Sequence, residues 1–359
     1  MQAAGRPAAL RPFLKWAGGK RQMLPYLRQF VPPTFAGYVE PFLGSGALFL
    51  DLFACGVIES RPVVLGDTNA DLIGTYSAVA HQVELVIRAL KKLAVGYASG
   101  RASHYYEIRD ARFNPERRKL DVSRTKGHVT YPATLAAMFL YLNRTGFNGL
   151  YRLNTSGDFN VPAGRYLNPK ICDAENLRAV AAVLRSPSLK LRHDAYEATI
   201  AGCGPGDLVY FDPPYAPLSS TASFTSYTAQ GFSDADQRRL QQVVIELVQR
   251  GCFVILSNST APLITALYET DPAAKRAGLR AYRVPARRAI NSNASRRGTI
   301  DEYVITNVRQ GYACHEGNYA MRSLLSGSRA EDKRRADALA RGEKIPEYVE
   351  PRSRGRGGN

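Results

Sequence analysis

The sequence predicts an α/β fold, an open sheet flanked by helices, and three observations lead there. Residues 38–50 read as a short strand, a glycine turn and a helix, and Val63-Val64-Leu65 follow as a second strand. Leu208–Phe211 form an apolar strand that runs straight into Asp212-Pro213-Pro214-Tyr215. After that the strand and helix rhythm returns: a helix with Leu240, Val243, Val244 and Leu247 on one face, then a buried-type strand at 252–257. Strands alternating with helices build a sheet whose ligand crevice lies beyond the C-terminal ends of the strands.

The elements follow in chain order. Residues 12–29 hold Phe13-Leu14-Lys15-Trp16-Ala17-Gly18-Gly19-Lys20 and then an amphipathic run. A phosphate-binding P-loop would need a glycine where Leu14 stands and Ser or Thr where Arg21 stands, so that reading is rejected. What remains is a tight backbone beside the chain's one Trp and two lysines. In 38–50, Gly44 and Gly46 let the backbone approach a ligand closely. The second strand ends at Asp67, 23 residues past Gly44, where an acid can hold ribose hydroxyls. Glycine turn and spaced acid together point to an adenosine-containing ligand. As plain structure, Asp67 would instead start a helix over Asn69–Val79.

Residues 80–140 lose the strand and helix alternation and read as helical, with a charged stretch from Arg109 to Lys126. In 141–166, Ser156-Gly157 is a turn between alternating segments, which predicts a β-hairpin. Arg144, Asn148, Arg152, Asn154 and Arg165 lie in this stretch. Arginine and asparagine side chains pair with the edges of guanine and adenine, and on composition a solvated hairpin face weighs as much.

At Asp212–Tyr215 two prolines stop the strand and fix the backbone at its end. A carboxylate beside a rigid carbonyl can accept two hydrogen bonds from one amino group, and the adjacent ring can stack on a flat heterocycle. Together they suit an exocyclic amine on a nucleobase. Ser233 and Asp236 can cap the next helix, and Gly251 can end it. The stretch 282–300 carries Arg283, Arg287, Arg288, Arg296 and Arg297 with no acid among them and reads as a phosphate-gripping loop, to which Asn293 contributes. The tail from about 311 mixes Gly, Ser, Arg and Glu and is expected to be partly disordered.

Bulk properties narrow the partner. The net charge is +17, and the tail's ten Lys and Arg against seven Asp and Glu leave +14 to residues 1–310. Basicity seated in the folded part points to a polyanion. The five scattered cysteines form no Cys-x-x-Cys pair, so neither zinc nor a disulfide framework is expected. No Pro-Cys dipeptide occurs, against a cysteine nucleophile of the cytosine-5 type. No apolar run approaches the roughly 20 residues of a membrane helix, and the N-terminus lacks a secretion signal's apolar core. The expectation is a cytoplasmic protein with no metal and no membrane partner.

Four blocks, Phe13–Lys20, Val39–Gly46, Leu140–Tyr166 and Val209–Tyr215, stand in the order found in Dam-type DNA adenine methyltransferases of the alpha class. Residues 217–227 and 287–298 resemble that family too, so the resemblance covers about residues 12–307. It implies a Rossmann-like S-adenosylmethionine-dependent methyltransferase sheet with an inserted helical and β-hairpin target-recognition domain. The implied division is 1–78 with 168–310 as catalytic domain, 79–167 as recognition domain and 311–359 as tail. The implied partner is double-stranded DNA, methylated at adenine N6, with GATC as the expected site, by a monomer or a weak dimer on DNA. By motif position Trp16, Lys20, Asp67 and Asp212 contact the cofactor. Phe42, Gly44, Gly46 and Phe211 shape its pocket, Glu40 holds its methionine end and Asp194 lies near its adenine. Asp212, Pro213, Pro214 and Tyr215 carry the chemistry. Phe147 is the implied wedge, Leu150, Arg152 and Pro162 read bases, and Lys15 and Tyr166 read the other end of the site. The segment 113–131 is longer and more basic than the family's connection, and the tail has no counterpart. A cytosine-N4 or RNA adenine methyltransferase, or a DNA-binding protein that has lost catalysis, stays open as a rival.

Overall fold

The computed structural model describes residues 10–16, 18–120, 129, 131–218, 232–287 and 299–309. Among the described residues seven strands form one sheet: β1 (Tyr38–Glu40), β2 (Val63–Asp67), β3 (Leu189–His193), β4 (Leu208–Phe211), β5 (Phe253–Ser259), β6 (Arg280–Arg287) and β7 (Thr299–Thr306). Their order across the sheet is β3-β2-β1-β4-β5-β7-β6. The first five strands are parallel neighbours, and β7 runs antiparallel to both β5 and β6. All four residues of β4 are buried, as a central parallel strand requires. Leu208 and Tyr210 enter the apolar core on one face, and Val209 and Phe211 enter the core on the other. The edge strand β3 instead exposes Lys190 and Arg192, charges that discourage another strand from adding there.

The helices are α1 (Leu24–Leu27), α2 (Ala47–Ala54), α3 (Ala70–Tyr106), α4 (Asn114–Lys119), α5 (Ala133–Thr145), α6 (Ala174–Leu184), α7 (Tyr196–Ile200), α8 (Asp234–Gln249), α9 (Pro262–Ile264) and α10 (Pro272–Arg276). The helix expected over Asn69–Val79 is α3. Asn69 caps it, its side chain accepting from Leu72 N at 3.0 Å, and it continues to Tyr106 with breaks in helical geometry at Gln82 and Arg101. Helix α8 opens on the expected Ser233 and Asp236 capping box and is followed by Gly251 at φ +86°. One apolar core among the described residues extends from the sheet into α3, α5 and α6.

Two expectations change. The expected hairpin has no regular ladder: the chain reverses at 154–158 with isolated antiparallel bridges at Leu153 with Phe159 and Gly146 with Ala163. Helix side chains take the place of a ladder. Asn114 donates to Phe159 O at 3.1 Å and accepts from Phe159 N at 3.0 Å, while Tyr105 and Arg109 both donate to Val161 O at 2.9 Å. Backbone groups satisfied this way do not need a partner strand. The expected loop over 282–300 is strand at both ends, 280–287 and 299–306. The arginines hide the alternation, and Pro285 is tolerated because β6 is an edge strand. Arg283 pairs with Glu269 at 2.7 Å and with the Tyr303 hydroxyl at 2.9 Å, so it is committed within the fold.

Among the described residues no helix is long and apolar enough to cross a membrane. Among them, no three of His, Cys, Asp and Glu gather in a group that could hold a metal ion. The tail from 310 onward lies outside the described residues, as does most of 121–130.

Candidate active site and nucleic-acid interface

The C-terminal ends of four neighbouring strands each deliver an acid: Asp194 just after β3, Asp67 ending β2, Glu40 ending β1 and Asp212 just after β4. Asp67 fixes the glycine turn, accepting from Gly44 N at 3.0 Å and from Asn69 N at 2.9 Å. Gly44 sits at φ +47°, and a Cβ there would come within 2.9 Å of the Trp16 ring, so backbone and indole meet only because the residue is glycine. Gly46 precedes the first turn of α2. Glu40 is buried, and the Tyr38 hydroxyl donates to it at 2.7 Å. Burial pushes its carboxyl up to about 8 against the help of that hydrogen bond, and the nearby Asp212 and Asp67 carboxylates add to the rise. Asp67 is raised as well, by burial, despite its backbone donors. Asp194 is held by Arg192 at 3.0 Å.

Lys20 is only 5% exposed, and its ammonium lies 2.8 Å from Asp212 Oδ1, 2.6 Å from Gly18 O and 4.4 Å from the centre of the Tyr215 ring. Burial raises the Asp212 carboxyl, the Lys20 charge opposes the rise and Glu302 adds to it. Its side chain stays 22% exposed, so a ligand can reach it. The Tyr215 hydroxyl donates to Glu302 at 2.9 Å. Behind this edge, Gln237 donates to Pro214 O at 2.9 Å and accepts from Asn258 at 3.1 Å. Asn258 in turn accepts from Ala216 N at 3.2 Å, and the Ser259 hydroxyl donates to Ala216 O at 2.6 Å. Phe42 stacks on Tyr196 at 5.3 Å and meets Phe211 at 6.4 Å and Phe232 at 6.0 Å, making an aromatic wall beside Glu40.

The structure therefore brings together Trp16, Lys20, Glu40, Phe42, Gly44, Asp67, Phe211, Asp212 and Tyr215. Sequence reasoning missed Gln237, Asn258, Ser259 and Glu302. Polar residues closing the apolar strand 252–257 were the available signal for Asn258 and Ser259, while Gln237 and Glu302 leave none.

The expected base-reading residues lie on a second surface. Asn143, 2% exposed, accepts from Lys15 N at 2.8 Å and donates to Lys15 O at 2.7 Å and Gly149 O at 3.2 Å. One amide so joins two loops far apart in sequence. Gly149, at φ +64°, lies so close to Lys15 that a Cβ there would stand 2.4 Å from the lysine Cβ. The Lys15 ammonium reaches Arg144 O at 3.3 Å and the Tyr166 ring at 4.1 Å. Arg144 donates to Phe13 O at 2.7 Å. Phe147 is 48% exposed, and its N–H donates to Pro162 O at 2.9 Å. Asn148, Arg152, Asn154, Pro162 and Arg165 are exposed and Leu150 is half-buried. Arg152 donates to Asn160 Oδ1 at 2.7 Å. The Asn154 side-chain oxygen accepts from Ser156 N at 3.0 Å and Asp158 N at 2.9 Å, so it builds the turn. Arg288, Asn293, Arg296 and Arg297 lie outside the described residues, and for Arg287 only the backbone is described.

Residues 16–289 match the model of the D12 class of N6 adenine-specific DNA methyltransferases. The chain is 37% identical over 303 residues to the type II methyltransferase M1.LlaDCHI of Lactococcus lactis subsp. cremoris, covering 83% of this chain and 95% of that one. It is 37% identical over 298 residues to the type II methyltransferase M.MjaIII of Methanocaldococcus jannaschii, covering 80% and 95%. It is 35% identical over 292 residues to the DNA adenine methylase of Escherichia coli, covering 81% and 93%. S-adenosylmethionine is the cofactor of this class, and the residues present fit it. The glycine turn closed by Asp67 suits a ribose, and the carboxylates of Glu40, Asp67 and Asp212 suit a ligand carrying positive charge on sulfur and nitrogen. On the match along most of its length and on this geometry, the chain belongs to the D12 class of N6 adenine-specific DNA methyltransferases.

Proposed function

We propose that the enzyme methylates the adenine of GATC in duplex DNA after turning that base out of the helix. A base inside a duplex is out of reach, and extruding it costs a few kcal/mol. The carrying observation is the edge at Asp212–Tyr215, where an accessible carboxylate, a proline-fixed backbone and a ring tethered by Glu302 stand together. The Asp212 carboxylate and the Pro213 carbonyl accept the two N–H bonds of the adenine amine, and Tyr215 stacks on the ring. Adenine N6 is a poor nucleophile because its lone pair is delocalised. Two acceptors turn that lone pair toward the methyl donor and stabilise the positive charge that grows on nitrogen as it attacks. S-adenosylmethionine, when bound, supplies the methyl group. Trp16, Lys20, Glu40, Phe42, Gly44, Gly46, Asp67, Asp194 and Phe211 are proposed to hold it. The proton on N6 leaves after transfer, so Asp212 need not be a strong base.

Residues 79–167 serve as the recognition domain and 1–78 with 168–310 as the catalytic domain. The exposed Phe147 fills the gap in the base stack, and Leu150, Arg152 and Pro162 read bases. Lys15 and Tyr166 read the other end of the site, and the basic 287–297 stretch grips phosphates. A monomer suffices for this. GATC rests on the resemblance to Dam-type enzymes. The test is base-modification sequencing of DNA from a methylation-deficient host that expresses the chain. N6-methyladenine confined to GATC is the expected result. The mark at another sequence would remove the GATC assignment, and no mark on DNA from soluble protein would remove the duplex-DNA reading.

A further inference from the structure

A buried carboxylate outside the methyl-transfer edge links the two surfaces described above. Asp71 lies in the first turn of α3, four residues past Asp67, and is 0% exposed. At a helix N-terminus its charge is favoured by the helix dipole. Arg117 of α4 donates to both of its oxygens, at 2.9 and 2.6 Å. The Tyr131 hydroxyl donates to Oδ1 at 3.0 Å and the Tyr151 hydroxyl to Oδ2 at 2.6 Å. From this hub two arms extend. Arg117 also donates to Gly157 O at the tip of the 154–158 turn. The Tyr151 ring packs against Trp16, centroids 5.7 Å apart and 30° between planes, and against Phe159 at 6.0 Å.

One carboxylate thus fixes the start of the helix that follows Asp67, the tip of the segment carrying Arg152, and a ring seated on Trp16. Stability alone does not require the charges, since buried ion pairs replaced by well-packed apolar residues often leave a fold as stable or more so. Directional hydrogen bonds to a turn tip do what apolar packing cannot: they set its position.

We propose that Asp71, through Arg117 and Tyr151, is a positioning residue that sets the reading segment against the methyl-transfer edge, and so determines sequence discrimination without touching DNA. This rests on the reading of residues 147–166 as the base-contacting segment.

The test compares Arg117→Met, the double variant Asp71→Leu/Arg117→Met and Tyr151→Phe with the parent enzyme. Each is assayed for binding to the preferred duplex and to duplexes altered at one base pair, without cofactor, by fluorescence anisotropy. Methylation kcat and KM on the same duplexes and the thermal midpoint complete the set. The binding ratio between preferred and altered duplex is expected to fall ~10-fold in Arg117→Met and in the double variant, with KM for DNA raised and kcat at saturating DNA within ~3-fold. An unchanged ratio with a lowered thermal midpoint would make the cluster structural only and overturn the proposal. If the first two variants do not fold, Tyr151→Phe, which loses one hydroxyl, decides: a ~3-fold fall in the ratio supports the proposal and no change overturns it. Arg152→Ala separates the two readings. If it leaves the ratio unchanged, the segment does not read bases. If it changes the ratio while the hub variants do not, the positioning role alone fails.

Discussion

At the end of β4, the backbone of Pro214–Ala216 is held by Gln237, Asn258 and Ser259, side chains at the C-terminal end of β5 and the start of the neighbouring α8. At 147–166 the backbone is held by Tyr105, Arg109, Asn114 and Arg117, side chains from the helical stretch before it. The first region alternates buried Phe211, Pro213 and Ala216 with partly exposed Asp212 and Tyr215, and the second exposes most of its polar side chains. A sheet edge fixes atoms tightly enough for chemistry, where a small misplacement costs much of the rate. A segment hung on helix side chains presents its outer face to a partner and can be altered there without disturbing the strands. The two regions should therefore fail in different ways when damaged.

The largest difference should come from Asp212→Ala. Loss of the acceptor is expected to lower kcat by ~10³-fold or more, with duplex affinity within ~3-fold of the parent. Single-turnover methyl incorporation and anisotropy measure the two, and near-normal turnover would remove Asp212 from the chemistry. The thermal midpoint is also expected to fall, because Lys20 would lose the partner of its buried charge. Arg152→Ala should do the reverse, leaving kcat intact and relaxing discrimination at one base pair by ~1–3 kcal/mol. Equal weakening on all sequences would instead make Arg152 a phosphate contact.

The smallest effect is on pH. Glu40 is raised in the fold from 4.5 to about 8, so in that window the folded state holds a proton that the unfolded chain has released. Stability of the free enzyme should then decline as pH rises from about 4.5 and level off above about 8. A cationic ligand favours the ionised carboxylate, so affinity for S-adenosylmethionine should rise a few-fold across neutral pH, by ~3–10-fold at most. Glu40→Gln should flatten both profiles, measured by thermal unfolding and calorimetry, and slopes unchanged in that variant would assign the titration to another group.

The same contrast explains what was legible in the sequence. Asp212–Tyr215, Gly44–Gly46 and Asp67 are readable because strand, turn and chemical group are contiguous or at a fixed spacing set by one helix. The supports Gln237 and Glu302 are not, since each meets the site through tertiary packing and looks like any polar residue in its own element. The hairpin expectation found the reversal at Ser156-Gly157 but not the absence of a ladder, because the donors and acceptors that replace it come from residues about 45 positions away. In 282–300 charge composition outweighs the weak alternation of an edge strand, so the strand β6 is hidden in the sequence.

The turn at 154–158 has a practical side for protein engineering. Asn154 shapes it through its own side chain, Arg118 holds Asp158 at 2.7 Å and Arg117 donates to Gly157 O, so the conformation does not depend on the side chains of the two residues after Asn154. Thr155 and Ser156, between them, are exposed. Their side chains can be varied in a library while the scaffold, the cofactor pocket and the methyl-transfer edge remain those of the parent enzyme.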